Sequence, residues 1–369
     1  MTRRWFAATG LLWILGHRRP APVPNPTPVP TPTPTPAPTG TLPQLRGVHY
    51  WRQTFDEQAS SFWSYNLPKS QSSDSMDFYD LAYGIDGYTS MFEATGSTIY
   101  LDRALTLVEN MIGQAMPSSQ LGAAAWRDSY YGWTSQRPDV RGQEVPLFES
   151  YCWRYACRLL TAIKKTSTVY ADPAYRTRFD AVLAFIERHI FDKWTTRNTN
   201  GYVYRQNSNM ASHWAYIALH LGPLTNDAGR ASRCATIRAN IDMAGLPNYR
   251  GDSLRKKLTA SLGRALTGAY SWDSAWNSVA RPGQDVNHAC AEVAFICESF
   301  DLGTGVWTQT DIDRLGTTLT ALVMPKRAGY VDGTGTGNGW IADGWPKLGR
   351  YSRTIQAALE THGVQGQGQ

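Results

Sequence analysis

The most regular feature of the chain is an apolar residue at every third or fourth position from about residue 76 onward. One such stripe consists of Leu147, Tyr151, Tyr155, Leu159 and Ile163. Two more stripes have the same spacing, namely Tyr175, Phe179, Val182, Ile186 and Ile190, and Val286, Cys290, Val293, Cys297 and Phe300. A period of 3.6 residues over four turns predicts amphipathic helices rather than strands. We therefore expect an all-α domain.

Start and stop signals divide the periodic segments into hairpins. Gly96-Ser97 predicts the end of one helix and the cap of the next, Asp172-Pro173 predicts a cap followed by proline in the first turn, and Thr308-x-x-Asp311 predicts a capping box. The predicted helices pair as 76–93 with 98–115, 144–165 with 173–192, 208–221 with 228–244, and 286–300 with 309–324, before a last helix over 351–361.

A single hairpin cannot bury both faces of its inner helix, so repeated hairpins must pack on their neighbours. Closing them into a ring predicts an (α/α) toroid with a central cleft, and an open superhelical array is the alternative. Long irregular segments over 116–143, 245–283 and 325–350 interrupt the helices. Loops of this kind on a rigid scaffold are frequent places for binding residues.

The N-terminal region has a different composition. Residues 1–19 resemble an export leader, because Arg3-Arg4 precedes an apolar run over 5–16 that is too short to span a bilayer. Residues 20–44 are rich in proline and threonine, which predicts an extended linker. We expect residues 45–369 to form the catalytic domain of a secreted or periplasmic protein, without membrane contact beyond the export signal.

Charge gives little indication of a nucleic-acid partner. The formal net charge is +6, and four of the positive charges belong to arginines of the leader, Arg3, Arg4, Arg18 and Arg19. The remaining +2 is not concentrated in a basic run with interleaved aromatic residues, so we expect no nucleic-acid binding. We expect the protein to act as a monomer.

The cysteines and histidines do not form a metal-binding motif. The five cysteines are an odd number, and the two pairs that share a helix, Cys152 with Cys157 and Cys290 with Cys297, cannot close a bridge there. We expect buried cysteines that pack as small hydrophobic residues, with bridges between helices as an open alternative, and no cofactor or metal. A structural Ca²⁺ on the glycine-rich loop over 330–340 is an open alternative.

Two segments, 207–214 and 263–272, contain the side chains that an elimination reaction on a uronic acid needs. They supply a phenol, a guanidinium, an imidazole and carboxamides. Such a reaction requires donors that neutralise the sugar carboxylate, a base for the adjacent proton, and an acid for the leaving oxygen. A tyrosine beside an arginine would have its phenolate favoured and could act as the base.

Four residues of these segments resemble the catalytic set of the (α/α)-toroid polysaccharide lyases that act on alginate and glucuronan: Asn209, His213, Arg264 and Tyr270. Ser212 stands where those alginate lyases have a carboxamide. The resemblance implies that Tyr270 and His213 transfer protons. It implies that Arg264 and Asn209 bind the carboxylate of an anionic polysaccharide.

Six more residues are candidates for substrate binding: His288, Asn287, Glu149, Trp214, Trp272 and Arg281. The polar ones could contact sugar, and the rings could stack on it. Packing, capping or an ion pair is the structural alternative for each of them. Asp285, at the predicted start of the helix that carries His288, reads best as an N-cap.

Three other functions compete with a lyase. A glycoside hydrolase would need two carboxyl groups on one cleft, with Asp80, Asp86, Asp128, Glu149 and Asp285 as candidates. A uronyl C5-epimerase would remove the same proton without shortening the chain. A carbohydrate-binding module would have no catalysis at all. A lyase alone produces an unsaturated uronide that absorbs in the ultraviolet.

Overall fold

A computed structural model of the protein describes residues 44–122, 126–337, 341 and 343–362, and the structural statements below concern these residues. The predicted leader and linker lie outside them, apart from residue 44. The described residues belong to one compact unit, Leu42–Gln369. None of their helices combines the length and the apolar character needed to cross a membrane.

The described residues are mostly helical, so the all-α prediction is confirmed. Their α-helices are α1 Val48–Ser70, α2 Phe78–Thr95, α3 Thr98–Gly113, α4 Pro146–Lys165, α5 Ser167–Ala171, α6 Pro173–Phe185, α7 Lys193–Asn198, α8 Ser208–Leu224, α9 Ala228–Ala239, α10 Leu254–Ser261, α11 Val286–Asp301, α12 Gln309–Thr317 and α13 Arg353–His362. Two short strands, β1 Met116–Pro117 and β2 Tyr131–Gly132, pair antiparallel.

The predicted hairpins are present, and three of their four outer helices, α6, α9 and α12, continue as π-helical turns over Ile186–Asp192, Asn240–Ala244 and Thr318–Val323. Local signals fix their ends. The Asp172 side chain accepts from the Ala174 N–H, and Thr308 forms the predicted capping box. Gly96 ends α2 with a φ of 69°. Ser97 occupies the N-cap position of α3, but its hydroxyl makes no capping hydrogen bond.

Four helices, α1, α5, α7 and α10, lie outside the helical ranges that the sequence predicts. Helix α1 lacks a regular aliphatic stripe and packs through aromatic rings instead. Phe55 and Phe62 each lie 5.6 Å from the ring centroid of Tyr88 on α2. Helix α10 is short and lies inside the segment 245–283, which the sequence predicts to be irregular.

Four inner helices form the core in chain order. Helix α2 packs on α4, α4 on α8, and α8 on α11, while α3, α6, α9 and α12 pack behind them as the outer members of the hairpins. A 3₁₀ segment, Trp345–Tyr351, packs against α11. This arrangement buries both faces of each inner helix, which explains the nearly continuous burial of α4, α8 and α11.

Buried charges join these elements to one another. Asp86 of α2 accepts from Arg158 Nη1 of α4 at 2.5 Å and from Lys347 Nζ of the 3₁₀ segment at 2.8 Å. Glu298 of α11 lies 3.9 Å from Arg158 Nε and 3.6 Å from His220 Nε2 of α8. The cations hold the pKa of both carboxyl groups below their usual range despite burial, whereas burial lowers the pKa of His220 to about 4. We call these five residues the charge layer.

Replacing Lys347 by methionine should leave the buried Asp86 carboxylate with one cation instead of two. Breaking a buried ion pair from one side costs roughly 3 kcal/mol of unfolding free energy or more. Urea denaturation of Lys347→Met should show this loss, whereas the exposed Lys326→Met should stay within about 0.5 kcal/mol of the parent protein. Equal midpoints for the two variants would show that the charge layer does not stabilise the fold.

Candidate functional site

A pocket of about 310 Å³ lies where the four inner helices begin. Its walls are Tyr79, Tyr83, Leu147, Tyr151, Asn209, Met210, His213, Asn287, His288, Cys290, Ala291 and Asp343. The second and the sixth residue of each of α2, α4, α8 and α11 are among them. The four helices therefore direct their N-terminal ends, which carry partial positive charge, to one place.

Asn209 and His213 lie one helical turn apart on α8 and both line this inner-helix pocket. Their exposed fractions are 3% and 1%. Neither Asn209 Oδ1 nor His213 Nδ1 has a hydrogen-bond partner among the described residues. An unsatisfied buried polar atom costs roughly 1–3 kcal/mol of folding free energy. A ligand that hydrogen-bonds to these two atoms would recover that cost. The carboxamide can offer such a ligand either a donor or an acceptor.

Two phenols stand beside this pair. The hydroxyls of Tyr151 and Tyr83 are 2.5 Å apart, and the Tyr151 ring meets the His213 ring edge-on at 5.1 Å. Burial, with the nearby Asp343 carboxylate, raises the pKa of Tyr151 well above 10 and that of Tyr83 to about 12. Arg154, 4.6 Å from the centre of the Tyr151 ring, acts in the opposite direction but is outweighed. Both phenols are therefore protonated at neutral pH.

The pKa of the His213 imidazole is shifted in the opposite direction. Burial lowers its pKa well below 6.5, and the positive charges of Arg154, His288 and Arg205 contribute in the same direction. The ring is therefore neutral at pH 7 and able to accept a proton. Paired groups whose pKa values are shifted apart are typical of an acid and a base that act together.

Asp343 is the only carboxylate among the described residues that line the pocket. It accepts hydrogen bonds from Arg154 Nη2 at 2.8 Å and from the Tyr155 hydroxyl. Its charge is thus balanced within the protein. The helix ends and Arg205 add positive potential, so the pocket suits an anionic ligand better than a cation.

Tyr270 and Arg264 do not line the pocket, so the structure does not support their predicted catalytic roles. The buried Tyr270 hydroxyl donates to Asp311 Oδ1 at 2.6 Å and accepts from Arg314 Nη1 at 3.1 Å, so it binds α12 to the loop before α11. Arg264 is exposed and donates to the backbone carbonyl of Val279. The structure therefore brings together only Asn209 and His213 of the four residues.

The predicted binding residues on α11 do reach the pocket. Asn287 and His288 line its exposed rim. Asp285 caps the helix by accepting from the His288 N–H at 3.0 Å, and its second oxygen lies 2.7 Å from His288 Nδ1. This contact raises the pKa of His288 above 6.5. Asp285 thus has the capping role expected from the sequence, and it also orients the His288 ring.

The other predicted binding residues have structural roles. Glu149 is buried and accepts from Lys193 Nζ at 2.8 Å and from an indole at 2.7 Å. Trp214 and Trp272 are buried in the core. Arg281 is exposed and lies 3.4 Å from a carboxylate oxygen of the loop over 330–337. None of these four lines the pocket, so the structure does not support their predicted contact with substrate.

Sequence reasoning missed several residues that the structure brings to the pocket: Tyr79, Tyr83, Tyr151, Met210 and Asp343. In the sequence, Tyr151 belongs to an apolar stripe, and its spacing does not distinguish it from the core residues of that stripe. A usable signal is position within the helix. Tyr83, Tyr151 and His213 are each the sixth residue of an inner helix.

The five cysteines are buried, as expected, and no disulfide joins any two of them. Within the described residues, no group of three or more histidine, cysteine, aspartate or glutamate side chains is arranged to hold a metal ion. Three residues of the glycine-rich loop, 338–340, lie outside the described part of the chain. The absence of a cofactor and the alternative of a structural Ca²⁺ stay predictions.

Glu292 is a buried carboxyl group directly behind the start of α8. Its Oε1 accepts from Ser208 Oγ at 2.7 Å and from Trp272 Nε1 at 3.4 Å, and its Oε2 has no partner among the described residues. Burial raises its pKa from 4.5 to about 7. Ser208 immediately precedes Asn209, so Glu292 holds the helix end that carries the pocket residues.

Comparisons of the chain with models of known protein families, with curated proteins and with solved structures found no match.

Glu292→Gln should remove a pH dependence of stability. The folded state raises the pKa of Glu292, so the stabilisation is complete below about pH 4.5 and is lost as pH rises through 7. Between pH 4.5 and pH 8, the wild type should therefore lose about 3 kcal/mol relative to the uncharged glutamine variant. Urea denaturation of both proteins at several pH values measures this difference. Parallel curves would show that Glu292 does not titrate in this range.

Proposed function

We propose that the protein is a polysaccharide lyase that cleaves a uronic-acid polysaccharide, with alginate and glucuronan as the first candidates, by β-elimination. One observation supports this most strongly. A neutral buried imidazole and a protonated phenol face the same pocket, where the oxygen of a carboxamide lacks a partner among the described residues and four helix ends supply positive potential.

In the proposed reaction, the uronate carboxylate binds to the Asn209 carboxamide in the positive potential of the helix ends. This neutralisation makes the C5 proton more acidic, because negative charge that develops on the carboxylate during its removal is stabilised. The neutral His213 takes the proton. The C5–H electron pair forms the C4–C5 double bond, and the C4–O4 bond breaks.

Tyr151 gives its proton to the departing O4 in this scheme. A raised pKa suits that role, since the phenol is still protonated when the acid is needed. Tyr83 can then donate a hydrogen bond to the resulting phenolate across the 2.5 Å contact. Return of the proton from His213 to Tyr151, directly or through solvent, restores the starting state.

We also propose that the hairpins close into an (α/α) toroid. The inner helices start at a common pocket, their outer partners pack behind them, and Lys347 connects the segment after α12 back to Asp86 on α2. A contact between the last and the first part of the array supports a closed ring over an open superhelix.

A glycoside hydrolase is less well supported, because its five candidate carboxylates have other partners. Asp80 pairs with Lys69, Asp86 belongs to the charge layer, and Asp285 caps α11. Asp128 and Glu149 pair with Arg197 and Lys193, respectively. Only Asp343 lines the pocket among the described carboxylates, whereas hydrolysis needs two carboxyl groups about 5–9.5 Å apart.

Incubation with alginate, glucuronan and pectate should produce ultraviolet absorbance from at least one polymer. Tyr151→Phe and His213→Gln should each lower that rate by roughly 10²–10⁴-fold, the usual contribution of a general acid or base. Tyr270→Phe should keep the rate but lose about 1–3 kcal/mol of stability, because the buried Asp311 loses a donor.

Circular dichroism of each variant should confirm that it is folded before rates are compared. New reducing ends without absorbance would indicate a hydrolase instead. Loss of activity in a folded Tyr270→Phe, together with full activity of Tyr151→Phe, would refute the assignment of the phenol.

A further inference from the structure

Arg205 is a half-buried cation without a counter-ion among the described residues. It precedes α8, and the one hydrogen bond from its guanidinium to a described side chain is to Met210 Sδ, 3.7 Å from Nη2. No carboxylate of the described chain lies within ion-pair distance of it. Other buried arginines of the protein, such as Arg154 and Arg158, do have carboxylate partners. Arg205 therefore differs from the cations that only stabilise the fold.

Three tyrosines are close enough to this guanidinium to interact with its charge. Tyr79, Tyr202 and Tyr249 lie within its electrostatic range, and all three are partly exposed. The Trp276 indole donates to the Arg205 carbonyl at 2.8 Å, which fixes the backbone below the side chain. Burial lowers the pKa of Arg205, but an arginine stays charged at neutral pH. A desolvated, unpaired charge is costly, and an anionic ligand would relieve that cost.

Arg205 is next to the inner-helix pocket rather than inside it. Tyr79 and Met210 line the pocket, and both interact with Arg205. The positive charge of Arg205 also lowers the pKa of His213. Met210 follows Asn209 directly, so its side chain points about 100° away from Asn209 around α8. The guanidinium thus lies to one side of the position where the reacting sugar meets Asn209 and His213.

We propose that Arg205, together with the rim of Tyr79, Tyr202 and Tyr249, is a second carboxylate subsite that binds the uronate unit adjacent to the reacting one. This inference rests on the proposed lyase function and narrows its substrate class. The protein would require at least two consecutive uronates, so polymers in which uronates alternate with neutral sugars would be poor substrates. Tyrosine rings at the rim would stack on the faces of the same unit.

The test uses a polyuronate in which a random part of the carboxylates is methyl-esterified, and mass spectrometry of the products identifies the units that flank each cleaved bond. Wild type should cleave only where the reacting unit and its neighbour are both free acids. Arg205→Met should cleave beside esterified neighbours as well. Its KM on the unmodified polymer should rise about 10- to 100-fold with a small change in kcat, as for loss of a charge-assisted hydrogen bond.

Arg205→Lys should restore part of the affinity, and the exposed Arg188→Met is the matched control that should behave as wild type. Unchanged discrimination at the neighbouring unit in Arg205→Met would overturn the subsite. A loss of discrimination only at the reacting unit would overturn it too, because Arg205 would then bind the reacting carboxylate.

A binding measurement separates this inference from the proposed function. Calorimetry with alginate, glucuronan and pectate hexasaccharides, each compared with its carboxyl-reduced form, reports on the subsite without catalysis. If wild type produces no unsaturated product but binds one acidic hexasaccharide 10- to 100-fold more tightly than Arg205→Met does, the lyase function fails and the subsite stands. If wild type produces unsaturated product but binds the acidic hexasaccharide no more tightly than Arg205→Met does, the lyase function stands and the subsite fails.

Discussion

The position of Asp86 between Arg158 and Lys347 is the constraint on which the rest of the structure depends. A buried carboxylate is tolerable only when cations meet it in good geometry, so a shift of α2, α4 or the 3₁₀ segment along its axis would leave a buried charge unpaired. Arg158, His220 and Glu298 are each the thirteenth residue of their helices. Contact between residues at the same position in three helices aligns the N-terminal ends of these helices with one another. The pocket lies at those ends.

Burial in the pocket has two consequences that act in opposite directions on the pKa scale. Removal from water disfavours the charged form of any group, so it keeps the phenol of Tyr151 protonated and the imidazole of His213 unprotonated. One physical cause therefore provides both an acid and a base at neutral pH. The carboxylate that would disturb this balance, Asp343, is neutralised by Arg154 below the pocket.

The sequence contains the local part of this structure and not the tertiary part. Helix boundaries at Asp172 and Thr308 were predictable because the capping groups lie within three residues of the backbone they bind. Asn209 and His213 were predictable as a pair, since one helical turn separates them. The phenol was not. Tyr270 follows in the expected chain order but is held by α12, and the phenol in the pocket comes from the preceding inner helix, a relation that only packing establishes.

The buried cysteines have a consequence for handling the protein in air. The thiolate is the form of cysteine that reacts with oxidants and with disulfides. Burial raises the pKa of Cys152, Cys157 and Cys297 above that of an ordinary thiol. The folded chain should thus tolerate an oxidising compartment without mispaired bridges, although it has no disulfide among its described residues. The vulnerable period is the time before folding, when these sulfur atoms are still in contact with water.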